Sequence, residues 1–171
     1  MIHLTQFLGT PVVDASGEEI GRISDLAIET REVFPRVTAI ALLGPDRTPF
    51  MLSWRKFVEE FDEERIKLNG RREDLRFSYQ QPNEVLLSRD ILNKDIIDTQ
   101  GKKVVRVRDL ELVESKNQLR LLGAEVGIRG LLRSISPILE SATTRVSGWL
   151  GRPLRENLIA WNYMDLLDRD L

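Results

Sequence analysis

The chain has no cysteine, which excludes disulfides and thiolate metal sites. Its single histidine, His3, makes by itself neither a metal site nor a catalytic triad, and it carries no catalytic expectation. Aromatic residues make up only 6% of the 171 positions, and no basic strand stretch studded with them, of the kind that binds single-stranded RNA, is seen. Charge of one sign is also missing: 25 basic residues stand against 27 acidic ones, and a net charge of −2 argues against bulk attraction to nucleic acid. No apolar run approaches the ~20 residues of a membrane-spanning helix. The opening Met1-Ile2-His3-Leu4-Thr5-Gln6 lacks the basic start and apolar stretch of a signal peptide, so a cytoplasmic location is expected. Gly123, Gly127 and Gly130 are spaced as strand-to-helix breaks, and no Lys-Ser/Thr follows them to make a phosphate cradle.

What is present is a recurrence. Leu8, Asp14, Gly17, Arg22, Asp25 and Leu26 reappear 84 positions later as Leu92, Asp98, Gly101, Arg106, Asp109 and Leu110, with apolar character kept between them. Ile2–Leu4 reads as a short strand, and Pro11-Val12-Val13 as a second one leading into the turn Asp14-Ala15-Ser16-Gly17. There the Asp side chain accepts from amides ahead of it and the Gly takes a positive φ; Asp98-Thr99-Gln100-Gly101 repeats the chemistry. In the next strand the apolar residues fall at 20, 23, 26 and 28, and in the second copy at 104, 107, 110 and 112. Strict alternation breaks twice at the same places, which predicts β-bulges of the kind that coil a small barrel. Val37–Leu43 and Phe50-Met51-Leu52 flank the turn Gly44-Pro45-Asp46-Arg47 and read as a hairpin.

Met51-Leu52-Ser53-Trp54 corresponds to Leu158-Ile159-Ala160-Trp161 at an offset of 107, each a strand end running into a helical pattern, Trp54–Phe61 and Trp161–Leu167. The second copy therefore holds 23 extra residues between its central strand, Leu119–Val126, and the strand near Leu158. Ile128, Leu131, Leu132, Ile135, Ile138, Leu139 and Ala142 follow helical spacing, so an inserted amphipathic helix is expected at about 128–152, kinked at Pro137. Arg129, Arg133, Arg145, Arg152 and Arg155 stand there against one acid, Glu140; the segment reads most economically as a helix that covers the second barrel, and otherwise as an interaction surface for a partner domain or an anionic membrane face.

Other charges divide similarly. Glu18-Glu19 at the first hairpin corresponds to Lys102-Lys103 at the second, a reversal that would make the copies complementary and favour a pseudo-twofold pair or a homodimer. Glu59, Glu60, Asp62, Glu63 and Glu64 form an acidic run that reads as a solvated helix end, and as a weak candidate for Mg²⁺, which binds through one or two carboxylates. Asp14, Asp25, Asp98 and Asp109 recur as pairs of acids, but turn and bend positions explain them better than general acid–base work. His3 falls on the first strand opposite Leu87 of the other copy and reads as a partly buried strand residue.

The run from Pro11 through Asp25 with its glycine hairpin, followed by Leu52-Ser53-Trp54, resembles the PRC-barrel, a small β-barrel found in the photosynthetic reaction-centre H subunit and in RimM-type ribosome-maturation factors. Val85–Leu92, Val104–Leu110, Gly123–Arg133 and Leu158–Trp161 resemble the region ahead of MgtE-type magnesium-transporter modules, where tandem PRC-barrels precede helical, CBS and membrane parts. The resemblance implies a mainly β fold of two tandem PRC-like β-barrels, 1–82 and 83–171, the second with the helical insertion. It also implies a non-enzymatic regulatory or adaptor module at the cytosolic face of a membrane, contacting other domains of a transporter. A RimM-like role in RNA processing, and direct Mg²⁺ sensing, are the alternatives.

Overall fold

The computed structural model describes residues 1–127 and 158–166, and they are mainly β. The strands are β1 (Ile2–His3), β2 (Pro11–Val13), β3 (Glu19–Glu29), β4 (Val37–Leu43), β5 (Pro49–Ser53), β6 (Val58–Phe61) and β7 (Ile66–Leu68). They continue as β8 (Glu84–Leu86), β9 (Asp95–Asp98), β10 (Lys103–Ser115), β11 (Gln118–Gly127), β12 (Leu158–Ala160) and β13 (Met164–Leu166). Two single-turn α-helices, α1 (Leu4–Phe7) and α2 (Trp54–Phe57), interrupt them. One sheet runs β5-β4-β3-β2-β7-β6 with β8 added on β3; the other runs β12-β11-β10-β9-β13 with β1 added on β10. Among the described residues neither pairing path closes on itself, and no helix is long and apolar enough to cross a membrane.

The short strands are exchanged. β1 comes from the start of the chain yet pairs with β10 (Ile2 with Leu112, His3 with Glu111), while β8 pairs with β3 (Val85 with Ile28, Leu86 with Ala27). These partners sit at matching places on the two long strands, each of which carries its own half's neighbour on the first part of that edge (β2 on β3, β9 on β10) and the other half's strand further along. Both halves therefore contribute to one contiguous core, in which Leu4, Phe7, Leu26, Leu87, Ile91 and Leu110 are fully buried. Each such side chain contributes about 1.5–3 kcal/mol by leaving water.

The first slip on the outer edge of each long strand stands where alternation fails, after Ile23 and after Val107, and the second stands where alternation holds. Register slips between Ile23 and Asp25 and between Ala27 and Ile28 on β3, and between Val107 and Asp109 and between Glu111 and Leu112 on β10. β4 pairs with β5 through Ile40–Leu52, and β11 with β12 through Ala124–Ile159, so the offset of 107 at the closing strand holds in the register as well. The inserted helix expected at about 128–152 lies outside the described residues.

Three local expectations are corrected. Trp54–Phe61 is one helical turn followed by β6, and Trp161–Tyr163 is likewise a single 3-10 turn followed by β13. Apolar spacing over eight residues is met equally by a turn plus a strand. His3 pairs with Glu111, and its counterpart in the other half is Leu86, not Leu87. The cause is one extra residue: α1 closes with Leu8 N–H donating to the Leu4 carbonyl, whereas Leu87–Ile91 is a wider π-type turn closed from Leu92 to Leu87. Gly17 takes φ +89°, but in the second hairpin Lys102 has the positive φ, and a Cβ on Gly101 would lie 2.6 Å from the Asp98 carboxylate.

Candidate functional site

Each long strand turns an aspartate at its first bulge toward the other half. Asp25 Oδ1 accepts from Leu26 N at 2.8 Å and Ser88 N at 2.7 Å, and Oδ2 accepts from Arg89 N at 3.0 Å. Asp109 Oδ1 accepts from Leu110 N at 2.8 Å and Thr5 N at 3.1 Å, and Oδ2 accepts from the Thr5 hydroxyl. The bulge re-aims the side chain, and the first turn of a helix supplies N–H groups with no partner of their own. The two carboxylates thus cap the turns that follow the exchanged strands. Burial pushes the Asp25 carboxyl above its ordinary value, against the opposing pull of three amides.

A second seam lies at the β10–β11 hairpin. Trp54 Nε1 donates to the Asn117 carbonyl at 3.2 Å, and Asn117 Nδ2 donates to the Glu59 carbonyl at 2.8 Å. Arg120 reaches the Glu32 carboxylate at 2.6 Å and the Phe34 carbonyl at 3.0 Å, and its hydrogen bond holds the Glu32 carboxyl below its ordinary value. A cleft of about 420 Å³ opens here between Arg36, Trp54 and Lys116.

Two surfaces flank the caps, and they occupy matching positions. In the first half Leu86, Asp25 and Ala41 line an apolar groove of about 580 Å³ together with Phe50, Met51, Phe77 and Tyr79. Phe77 is 63% exposed and Tyr79 79%; Phe77 packs against Phe50 with ring centres 5.2 Å apart and planes tilted by 47°, and Ser78 N–H donates to the Met51 carbonyl on edge strand β5. In the second half the register puts His3, Asp109 and Glu125 where the first has Leu86, Asp25 and Ala41. His3 Nδ1 is shielded from solvent, has no hydrogen-bond partner, and lies 3.8 Å from Asp109 Oδ2.

Of the residues singled out in the sequence, Asp25, Asp109 and His3 fall at these places and the other described ones fall elsewhere. Glu18 pairs with Arg72 at 3.7 Å and Glu19 with Arg22 at 3.4 Å; among the described residues no ion pair joins them to Lys102 or Lys103. The acidic run is a strand and a turn: Glu59 and Glu60 on β6 face Lys67, Asp62 accepts from the amides of Glu64 and Arg65, and Glu63 is exposed. Asp14 accepts from the Ser16 hydroxyl and from the amides of Ser16, Glu18 and Arg72, as a turn residue should. Gly123 lies inside β11, where a Cβ would meet the Ile159 carbonyl at 2.2 Å, so it is a close-approach position and not a strand-to-helix break. Arg129, Arg133, Arg145, Arg152 and Arg155 lie outside the described residues. The alternation of aromatic and polar residues in Phe77-Ser78-Tyr79-Gln80 was the one sequence signal for the groove, whereas His3, Asp109 and Glu125 carry none until the strands are paired.

Residues 1–75 match the family model described as the PRC-barrel domain. No curated protein and no solved structure matches the chain.

Proposed function

We propose that the chain is a tandem of two PRC-type units, the second carrying a helical insertion, and that it works by contact and not by chemistry, as an adaptor or regulatory module. Its setting would be the cytosolic face of a membrane, beside the helical and CBS parts of an MgtE-like magnesium-transport protein. Supporting this reading are the family match over the first half and the same bulge positions and strand exchange in the second. Interlocked halves make a stiff platform, because neither sheet can move without opening the other's edge.

The observation that carries the contact role is the groove beside β5, where two aromatic side chains stand more than half exposed on an apolar floor. Exposed aromatics over a concave apolar surface are the usual anchors of a protein interface. Arg89 at its rim is neutralised by Asp90, at 2.8 Å, so the groove favours an apolar or aromatic anchor over an acidic one. The occupant we assign is an apolar segment of the transport polypeptide. A photo-crosslinking residue at Tyr79, in cells making the complete protein, tests this: crosslinks to a membrane-transport polypeptide that disappear with Phe77→Ser support it. Crosslinks confined to ribosomal components would replace it with the RNA-linked reading.

A further inference from the structure

We propose that His3, Asp109 and Glu125 bind a borderline divalent transition metal, of which Zn²⁺ is the type, and that the ion staples the exchanged strand β1 to the other half's sheet. The three side chains come from three neighbouring strands, β1, β10 and β11, and one ligand atom from each lies within 4.8 Å of the others. A metal about 2.1 Å from each donor holds donors roughly 3–4 Å apart, which a small rotation of exposed Glu125 supplies. The buried, unpartnered His3 Nδ1 is the second observation: an imidazole nitrogen shielded from water and left without a bond is a cost unless something ligates it.

The carboxylate beside it is already oriented. Asp109 is held by Leu110 N, Thr5 N and the Thr5 hydroxyl, and its Oδ2 keeps a lone pair beyond the one that Thr5 takes. Such outer bonds fix a ligand's direction before the ion arrives. One imidazole and two carboxylates leave a coordination position for water and suit Zn²⁺ or a similar ion, while Mg²⁺ prefers an all-oxygen octahedron. The sister site supplies the contrast: Asp25 keeps its amide bonds, but Leu86 and Ala41 replace the other two ligands. The capping role is thus common to both halves, and the metal role belongs to the second alone.

The test uses the untagged full chain titrated with Zn²⁺, and separately with Mg²⁺. Because the chain has one histidine, its imidazole NMR signals report the site directly in the unaltered protein. Expected are one bound Zn²⁺ per chain, a shift of those signals, a rise in Tm, and none of these with Mg²⁺ at equal concentration. His3→Leu and Glu125→Ala, which install the residues the other half already uses, should fold and weaken Zn²⁺ binding at least about 10-fold. Unmoved imidazole signals, equal responses to the two ions, or Zn²⁺ affinity unchanged in both variants would each overturn the proposal.

Discussion

Asp25 and Asp109 each hold the other half's helical turn: Asp25 accepts from Ser88 and Arg89, and Asp109 from Thr5. The relation is reciprocal, and it couples to the strand exchange. β1 and β8 dock on the long strands, and the turns after them are tied down by the aspartates those strands present.

Removing a cap leaves amides without acceptors. Asp25→Ala strands three N–H groups at a residue only 7% exposed, and a loss of about 2–4 kcal/mol is expected from roughly 1–3 kcal/mol per unsatisfied buried group, less relaxation. Asp109 sits at a more open site, so Asp109→Ala should cost less. Urea unfolding of the two variants checks the order; equal or negligible losses would contradict it.

The seam at Trp54 predicts a smaller effect. Trp54→Phe keeps most of the buried ring but loses the Nε1 bond to the Asn117 carbonyl, worth about 1 kcal/mol. The expected signature is a lower urea midpoint with an unchanged slope.

Matching positions in the two sheets tolerate different residues. Gly123→Ala drives a Cβ into the Ile159 carbonyl and should part β11 from β12 at a cost of about 2–4 kcal/mol. Ala39, at the matching place on β4, has a neighbouring strand that accepts its methyl, and Ala39→Gly should cost only about 0.5–1 kcal/mol. Thermal melts of the pair distinguish close approach from a general intolerance of change.

Acid should weaken the first hairpin. The Ser16 hydroxyl foremost, and the amides of Arg72, Glu18 and Ser16, hold the Asp14 carboxyl below its ordinary 3.8, so the folded chain takes up this proton less readily than the unfolded one. The stabilisation is fully present above that value and is lost as pH falls from it through the lower folded-state value; Asp46 and Asp62 act in the same direction. Asp14→Asn should lower stability at neutral pH and flatten its fall below about pH 4, as urea midpoints across the range would show.

Local features were the legible ones. The break in apolar alternation between 23 and 26 marked the bulge of β3 between Ile23 and Asp25, while the slip between Ala27 and Ile28 falls in regular alternation and was not marked. Leu52-Ser53-Trp54 and its counterpart Ile159-Ala160-Trp161 located the closing strands, because hydrophobic period and strand register are the same fact seen twice. Partner choice was not legible. Nothing in Ile2-His3 says that it pairs with Leu112 and Glu111 and not with a strand of its own half, since both choices bury the same side chains. The extra residue in Leu87–Ile91 also escaped the pattern, for a π-type turn absorbs it and leaves β9 in step with its counterpart β2. Every group defined by exchange, including the caps and the His3, Asp109 and Glu125 triplet, was hidden for that reason.

The most direct test of the interlocked architecture divides the chain. Residues 1–82 lack β8 and the Ser88 and Arg89 amides that Asp25 caps, and residues 83–171 lack β1 and Thr5. Produced separately, each half should give a collapsed, poorly dispersed amide NMR spectrum, and mixed at equal amounts they should regain the spectrum of the whole chain as a 1:1 complex. A fully dispersed, cooperatively unfolding 1–82 fragment that ignores its counterpart would contradict the account.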